Sequence, residues 1–332
     1  MTAVRMQRTG GPEVLEVVEV ERPIPGRNEI LVRAHSIGVG RPDCAIRRGS
    51  YKWMPPLPCI PGNELAGVVE TIGEGVTDVR PGQPVLVSSR ELPDRGGCYA
   101  QFVKIAAHAA ITLPDDLDLE AAVCLPNYQV AWALSHHVAT LERVRSVYLN
   151  GAAGGVGTAL IHVFTQLGVE VIAGAGTPEK RQFTLIQGAA HAIDTTLDDV
   201  ADQVKAVTAG RGVDLVLDHL GGNTMPGLLD MLAPFGTLVS YNLLAGLPVT
   251  NMFTALRERI AVAPAIRCFN MHTFDQDRKT RRLLLETPIR WFRDGRIRPP
   301  IHARLPLSQV RVAHQLMENR GVLGKLVLEP IS

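Results

Sequence analysis

A glycine-rich turn between an apolar strand and an apolar helix constrains this chain more than any other feature. The segment LNGAAGGVGTAL spans residues 149–160, and Ala152, Gly154 and Gly157 follow an A-x-G-x-x-G spacing. An interior glycine costs about 0.5–1 kcal/mol relative to alanine, so stability does not favour this composition. A bare backbone at a helix start lets a pyrophosphate reach unpaired N–H groups and the positive helix end. The turn predicts dinucleotide binding, with a tight turn made only for packing as the alternative.

The segments around this turn alternate between strand and helix patterns. Apolar strands are predicted at 146–150, 169–176, 213–221 and 236–242, with a further strand in AIDTT that ends before Thr195 and a last strand at 261–268. Helices are predicted between them, including TMPGLLDMLAP, and a longer helix precedes them at LEAAVCLPNYQVAWALSHHV. Alternating strands and helices form βαβ units with a parallel sheet. We therefore expect a doubly wound, six-stranded Rossmann domain, and its cofactor-binding turn comprises Ala152, Ala153, Gly154, Gly155, Val156 and Gly157.

The first third of the chain has a different pattern. Short strands such as EILVRAHSIGV and QPVLVS are separated by Pro- and Gly-rich turns, a pattern typical of a partly open β-barrel. The tail returns to helix, extended chain, helix and a final strand, GKLVLEP, which we expect to rejoin the barrel. We predict a discontinuous barrel domain over 1–122 and 273–332, with the Rossmann domain over 123–272.

The end of the second Rossmann strand predicts which dinucleotide binds. An NAD site usually has an acid about 20 residues after the glycine turn, where it bonds the ribose 2′-hydroxyl. Here the strand ends in Gly174, Ala175 and Gly176, followed by Thr177, Lys180 and Arg181. An uncharged loop beside cations favours a 2′-phosphate, so NADPH is predicted. The alternative for Lys180 and Arg181 is a solvated helix face.

Composition excludes several function classes. The formal net charge is +1 and no Lys/Arg run occurs, so nucleic-acid or membrane-surface binding has no electrostatic basis. No apolar stretch reaches the roughly 18 residues of a membrane span. The N-terminus lacks a signal-peptide pattern, and the cytosol is the expected location. Five scattered cysteines without a CxxC pair argue against disulfides or a structural zinc site.

Motifs along nearly the whole chain resemble the zinc-independent quinone oxidoreductases of the medium-chain dehydrogenase/reductase superfamily. They are GAAGGVG, PGNELAGVVETIGEGV, DLVLDHLGG, APFGTLVSY and GKLVLEP. The resemblance implies an α/β protein with a GroES-like, partly open β-barrel domain and a Rossmann domain. It also implies a homodimer.

Zinc-dependent relatives have a Cys in an early barrel loop and a His in a G-H-E motif. Here the motif reads Gly62, Asn63, Glu64, and Cys44 in the early loop GVGRPDCAIRRG is out of step with the ligand position. Zinc needs four N, S or O ligands, which the chain does not supply. We predict no metal site, which argues against alcohol oxidation through a metal-bound alkoxide and favours a conjugated acceptor.

The resemblance also implies site residues. Tyr51 is the candidate catalytic residue, a phenol that can donate a hydrogen bond to a developing oxyanion, and loop packing is its alternative role. Tyr241, Asn242 and Lys325 are expected near the nicotinamide half, with Lys325 as a plain surface lysine the alternative. The substrate pocket is expected to contain Gly40, Asp43, Asn127, Tyr128 and Val130, although Gly40 stands where the family often has Asn and Val130 where it often has Thr.

These features predict an NADPH-dependent, zinc-independent reductase of quinones or similar conjugated carbonyl compounds. A close alternative is an NADPH-dependent reductase of conjugated double bonds in alkenals, enones or enoyl thioesters. A third hypothesis is a non-catalytic NADPH-binding regulatory protein. Pocket shape separates the first two, and the sequence does not reveal it.

Overall fold

The computed structural model describes residues 1–139 and 141–330. The chain forms two compact units: Met1–Pro126 with Leu285–Ser332, and Asn127–Leu284. The sequence prediction placed the borders after residues 122 and 272. Two residues of the predicted segment 273–332, Ile331 and Ser332, lie outside the described residues.

The secondary structure follows the predicted change from a β-rich to an alternating pattern. The strands are β1 (Thr2–Met6), β2 (Leu15–Glu19), β3 (Glu29–Val39), β4 (Glu64–Ile72), β5 (Pro84–Ser88), β6 (Phe102–Ala106), β7 (Ile111–Thr112), β8 (Ser146–Asn150), β9 (Glu170–Ala175), β10 (His191–Asp194), β11 (Val213–Asp218), β12 (Leu232–Ser240), β13 (Ala265–Cys268), β14 (Ile301–Pro306) and β15 (Lys325–Glu329). The α-helices are α1 (Arg41–Arg48), α2 (Leu119–Ala122), α3 (Leu125–Ala133), α4 (Gly155–Gln166), α5 (Pro178–Ile186), α6 (Val200–Val207), α7 (Met252–Glu258), α8 (Arg278–Arg293) and α9 (Val310–Glu318). Within the described ranges, no helix combines the length and apolar character needed to cross a membrane.

The second unit contains a six-stranded parallel sheet. Its strand order is β10-β9-β8-β11-β12-β13, and every neighbouring pair is parallel. From β8 the chain adds β9 and β10 on one side of the sheet and then β11, β12 and β13 on the other side. The strand order therefore reverses between β8 and β11. Ligands of such sheets bind outside the carboxyl ends of the strands at this reversal. The predicted doubly wound parallel sheet is confirmed, and the glycine turn follows β8 at the expected place.

The first unit contains a mainly antiparallel sheet of seven strands. Its order is β14-β15-β3-β4-β5-β7, with β6 also paired to β3, while β1 and β2 form a separate pair. The tail rejoins this sheet because Leu326 of β15 pairs with Val39 of β3. Alternate residues of these strands are buried in one apolar core that includes Val32, Leu65 and Val87.

Several predicted elements were wrong in detail. The early loop GVGRPDCAIRRG contains helix α1, which has Pro42 in its first turn and ends at Gly49 with a left-handed φ of 76°. The predicted helix 119–138 is divided into α2, α3 and a π-helical turn, Leu134–Val138. The segment TMPGLLDMLAP is a 3-10 helix (Gly222–Met231) followed directly by β12, since Pro226 lies inside it and disfavours a regular α-helix. The strand predicted over 261–268 covers only its last four residues, Ala265–Cys268.

Candidate functional site

The turn after β8 is built around glycines that meet specific neighbours. All five residues of β8 are buried, and Gly151 follows with a φ of 72°. A Cβ at Gly151 would lie 2.5 Å from Cε1 of His219, so a larger residue would have to displace that imidazole as well as adopt a positive φ. The Ala152 N–H donates to the Gly174 carbonyl at 3.0 Å, which ties the turn to β9.

Two glycines of this turn have separable purposes. A Cβ at Gly157 would lie 2.3 Å from the backbone oxygen of Ala152, so Gly157 permits close packing of α4 on the turn. Gly154 precedes α4 as its N-cap, and a Cβ there would meet no protein atom within 4 Å. Packing therefore does not require the bare backbone at Gly154. The space beside it, at a helix start, suits an approaching phosphate.

The end of β9 has a glycine for a reason that the sequence did not indicate. A Cβ at Gly174 would lie 2.2 Å from the hydroxyl oxygen of Tyr148 on the neighbouring strand. Burial raises the pKa of this phenol well above its usual value, so it stays neutral. Gly174 is therefore required by the packing of Tyr148, as well as being a position without an acid.

The start of α5 positions the three residues predicted to bind the 2′-phosphate. Thr177 caps the helix, and its hydroxyl oxygen accepts from the Lys180 N–H at 3.2 Å. Lys180 is half-buried in the first turn. Arg181 forms an ion pair with Asp194 at the end of β10, with 2.8 Å between Nη1 and Oδ2. Asp194 is an acid at this edge that the sequence prediction did not take into account.

A second polar group lies at the carboxyl ends of β8 and β11. The buried Asp218 carboxylate accepts from Asn150 Nδ2 at 2.8 Å and from the N–H groups of Leu220 and Gly221 at 3.0 and 2.9 Å. These bonds fix the loop after β11 against the glycine turn. Sequence reasoning missed Asn150 and Asp218, although each is the last residue of a central strand.

The predicted nicotinamide-side residues of this unit follow β12. The Tyr241 hydroxyl lies 3.4 Å from Nδ1 of His219, so the phenol and the imidazole over the glycine turn are neighbours. Burial raises the pKa of Tyr241 well above its usual value. Asn242 is exposed, and its side-chain oxygen accepts from the Leu243 N–H at 2.9 Å. Tyr241 thus lies at the same strand ends as the glycine turn.

The substrate-pocket residues predicted in α3 have different surroundings. Asn127 is half-buried. Tyr128 is buried, and its hydroxyl hydrogen-bonds to Nδ1 of His162 in α4 at 2.7 Å. Val130 packs on an apolar cluster with Met271 and Phe274. The ring and hydroxyl of Tyr128 are therefore engaged inside the second unit.

A neighbouring residue in α3 was missed. Gln129 is buried, and its amide donates to the carbonyl of Arg281 at 2.7 Å. A polar residue within an otherwise apolar helix face was the available signal.

The first unit encloses a buried polar cluster around Asp43. The Asp43 carboxylate accepts from the Gly40 N–H at 2.8 Å, and from the Asn63 N–H and amide nitrogen at 3.0 and 2.7 Å. Burial raises the pKa of Asp43 to about 6, with repulsion from Glu64 adding to the effect and the Asn63 hydrogen bond opposing it. Gly40 and Asp43, both predicted for the substrate pocket, are thus joined at the start of α1.

Lys325 lies in the same unit and pairs with Glu64. Its ammonium is buried against the Glu64 carboxylate, and both side chains pack over Gly38 of β3. Burial by itself lowers the pKa of a lysine, but attraction to Glu64 outweighs this and the pKa is raised. The alternative of a plain surface lysine is wrong, because Lys325 is only 4% exposed.

The residues at the zinc-ligand positions of metal-dependent relatives do not fit a metal. The Asn63 amide donates to Asp43, and its oxygen accepts from the Ser89 hydroxyl at 2.6 Å. Burial raises the pKa of the Cys44 thiol to about 12, so the group is protonated in this structure. Across residues 1–139 and 141–330, no cluster of three or more His, Cys, Asp or Glu side chains could hold a metal ion.

Tyr51 follows α1 in the first unit. It packs, partly buried, against a small apolar cluster of Met6, Val14 and Ile46, and its ring centroid lies 5.8 Å from that of Trp53. This packing holds the ring, as the alternative role of Tyr51 requires, and it is also compatible with hydrogen-bond donation by the phenol.

Comparisons with known proteins agree with this architecture. The family described as zinc-binding dehydrogenase matches residues 187–328, and the alcohol dehydrogenase GroES-like domain matches residues 26–115. A quinone oxidoreductase from Lama guanicoe is 30% identical over 99% of this chain and 97% of its own length.

Two solved structures resemble the chain over its full length. The Escherichia coli quinone oxidoreductase complexed with NADPH is 27% identical, with a TM-score of 0.88 over 99% of this chain and 100% of that one. A 2-haloacrylate reductase is 28% identical, with a TM-score of 0.82 over 100% of both chains. The predicted combination of a GroES-like and a Rossmann domain is confirmed.

Proposed function

The chain belongs to the zinc-independent quinone oxidoreductases of the medium-chain dehydrogenase/reductase superfamily, and we propose that it uses NADPH to reduce a quinone or a similar conjugated carbonyl compound. The observation that carries the proposal is the turn at Gly154. It lies at the reversal point of the parallel sheet and starts a helix, and its open side has no packing role. This is the arrangement that a dinucleotide pyrophosphate requires.

The side chains of the second unit fit the cofactor. The turn Ala152–Gly157 would hold the pyrophosphate, while Thr177, Lys180 and Arg181 would form the edge at which the 2′-phosphate lies. Tyr241 and Asn242 would lie beside the nicotinamide half. Bound NADPH would supply a hydride to the acceptor, and positioning is the main requirement of such a transfer.

The acceptor-site residues that the family resemblance implies remain proposals within each unit. Gly40, Asp43, Asn127, Tyr128 and Val130 remain the proposed pocket residues, and Tyr51 the proposed donor to the developing oxyanion. Contact of Lys325 with the cofactor would require its ammonium to be shared with Glu64.

The Y51F variant keeps the ring and its packing but removes the donor, so kcat should fall while NADPH affinity is unchanged. Unchanged kcat would limit Tyr51 to packing.

Reduction of a conjugated carbon–carbon double bond is the second candidate. The similarity to a 2-haloacrylate reductase over both complete chains favours it specifically. Both reactions deliver a hydride to a conjugated acceptor, so the same cofactor site serves either one.

A substrate panel separates the hypotheses. The purified protein is mixed with NADPH and, in separate reactions, with quinones, alkenals, enones or 2-haloacrylate, and absorbance is followed at 340 nm. Oxidation with quinones alone supports the first candidate, and oxidation with double-bond acceptors alone supports the second. Silence across the panel together with tight NADPH binding favours a non-catalytic regulatory protein. NADH in place of NADPH serves as the matched control for the cofactor.

We also propose a homodimer in the cytosol. Among the residues that the structure describes, the edge strand β13 pairs with β12 alone, and three of its four residues are exposed, which leaves one strand edge for a second copy. Light scattering coupled to size exclusion tests this, because a monomeric mass at micromolar concentration contradicts it.

A further inference from the structure

An acid lies at the strand edge that the sequence describes as uncharged. Strands β9 and β10 are parallel neighbours, and Asp194 pairs in register with Ala175. Each is the last residue of its strand, so the two residues lie side by side at the carboxyl edge of the sheet. Asp194 therefore stands one strand away from the position where NAD-binding proteins usually have their acid.

The loop after Asp194 touches the end of β9. A Cβ at Gly176 would lie 3.5 Å from both Oγ1 of Thr195 and Cγ2 of Thr196. The Thr196 N–H and hydroxyl donate to Oδ1 of Asp194 at 3.0 and 2.6 Å, and hold the carboxylate at this edge. These bonds, with a smaller effect from Arg181, keep the pKa of Asp194 below its usual value, so the group is ionised at neutral pH.

Arg181 covers this charge. Its Nη1 atom lies 2.8 Å from Oδ2 of Asp194 and 3.4 Å from the carbonyl oxygen of Ala175. The guanidinium thus spans the ends of both strands from the first turns of α5. Both side chains are partly exposed, at 22% and 24%, so water screens the pair only in part.

We propose that Arg181 is a specificity-determining residue that neutralises Asp194 and so allows a 2′-phosphate at this edge. The inference rests on the proposed NADPH site. A phosphate with nearly two negative charges is repelled by an unpaired carboxylate, whereas the 2′-hydroxyl of NADH can donate to one. With Arg181 in place, the edge presents no net negative charge, and Lys180 adds a cation.

The test uses 2′,5′-ADP and 5′-AMP, which differ only in the 2′-phosphate. Their dissociation constants are measured by calorimetry for the wild type, R181Q, D194N and R181Q/D194N. We expect R181Q to bind 2′,5′-ADP about tenfold more weakly than the wild type, while its affinity for 5′-AMP is unchanged. The double variant should regain most of this loss, and D194N should bind 2′,5′-ADP at least as tightly as the wild type.

A matched control distinguishes a local charge effect from loss of stability. Arg259 and Asp230 form an ion pair in the same unit, and Arg259 is also 22% exposed. R259Q should bind both nucleotides like the wild type. Unchanged 5′-AMP binding by R181Q shows that the site is folded.

The remaining outcomes are decisive in different ways. If R181Q/D194N binds 2′,5′-ADP as weakly as R181Q, Arg181 acts directly on the phosphate and the inference is wrong. Weaker 2′,5′-ADP binding by D194N contradicts it as well. A wild type without preference for 2′,5′-ADP would overturn the NADPH proposal itself, which separates failure of the premise from failure of the inference.

Discussion

The ammonium of Lys325 and the carboxylate of Glu64 form an ion pair inside the first unit. Their side chains are only 5% and 11% exposed, and 261 residues separate them in sequence. Since Lys325 begins β15 and Glu64 begins β4, the pair links the returning tail to the barrel. It lies where the zinc-dependent relatives have their G-H-E motif.

Removing one partner of this pair should strongly destabilise the protein. K325M leaves the Glu64 carboxylate buried and unpaired, which costs about 3–5 kcal/mol in the free energy of unfolding. Urea unfolding measures the change. The control is R80Q, because Arg80 and Asp115 form a pair that is 64% and 67% exposed and should lose less than about 1 kcal/mol. Equal losses in the two variants would show that the buried pair has no special contribution.

Asp43 should make stability fall between about pH 4 and pH 6. Its pKa rises from 3.8 to about 6 on folding, so the folded state binds more protons in this window. The contribution of Asp43 to the free energy of unfolding is then greatest below pH 4 and is lost as pH rises through 6, by an amount on the order of 2–3 kcal/mol. D43N, compared with the wild type across pH 3.5–7.5 by urea unfolding, should lack this decline. Parallel curves for the two proteins would contradict the assignment to Asp43.

The two glycines of the cofactor turn should respond differently to alanine. G157A places a Cβ against the Ala152 backbone oxygen and should cost about 1–3 kcal/mol or more of stability. G154A meets no protein atom, so unfolding should change by less than about 1 kcal/mol. NADPH titration should nonetheless show weaker binding by G154A. Wild-type affinity in G154A would mean that the cofactor does not approach this position.

Lys180 should contribute more to NADPH affinity than to NADH affinity. Loss of its charge in K180A removes attraction for the 2′-phosphate, and about tenfold weaker NADPH binding is expected with little change for NADH. Fluorescence titration of both cofactors measures the ratio. K205A, in α6 of the same unit, is the control. A similar loss for both cofactors would contradict a role at the 2′-phosphate.

Metal analysis should find no stoichiometric zinc in the purified protein. Asn63 stands where the zinc-dependent relatives have a histidine ligand, and its amide is engaged with Asp43 and Ser89, while Cys44 is out of step with the position of the cysteine ligand. Mass spectrometry of the metal content tests this, and chelators should leave the 340 nm activity unchanged. One zinc per chain would overturn the metal-free mechanism.

Local sequence patterns were sufficient for the domain types and the glycine turn. The spacing of Ala152, Gly154 and Gly157 and the alternation of strands and helices depend on residues close in sequence, and the structure has the parallel sheet and the turn where they were expected. Irregular elements were predicted less well. Local signals for α1 were present in Pro42 and Gly49, but the prediction treated the segment as a loop.

Tertiary structure alone decided the charges around the candidate site. The uncharged end of β9 is directly visible in the sequence, but Asp194 reaches that edge through strand pairing, and Arg181 covers it. Likewise, whether Lys325 is a surface lysine or a buried one depended on its partner, Glu64, which lies on a strand far away in sequence. Hydrophobic periodicity and turn chemistry act within about ten residues, whereas the pairing of charges depends on which strands become neighbours and in which register.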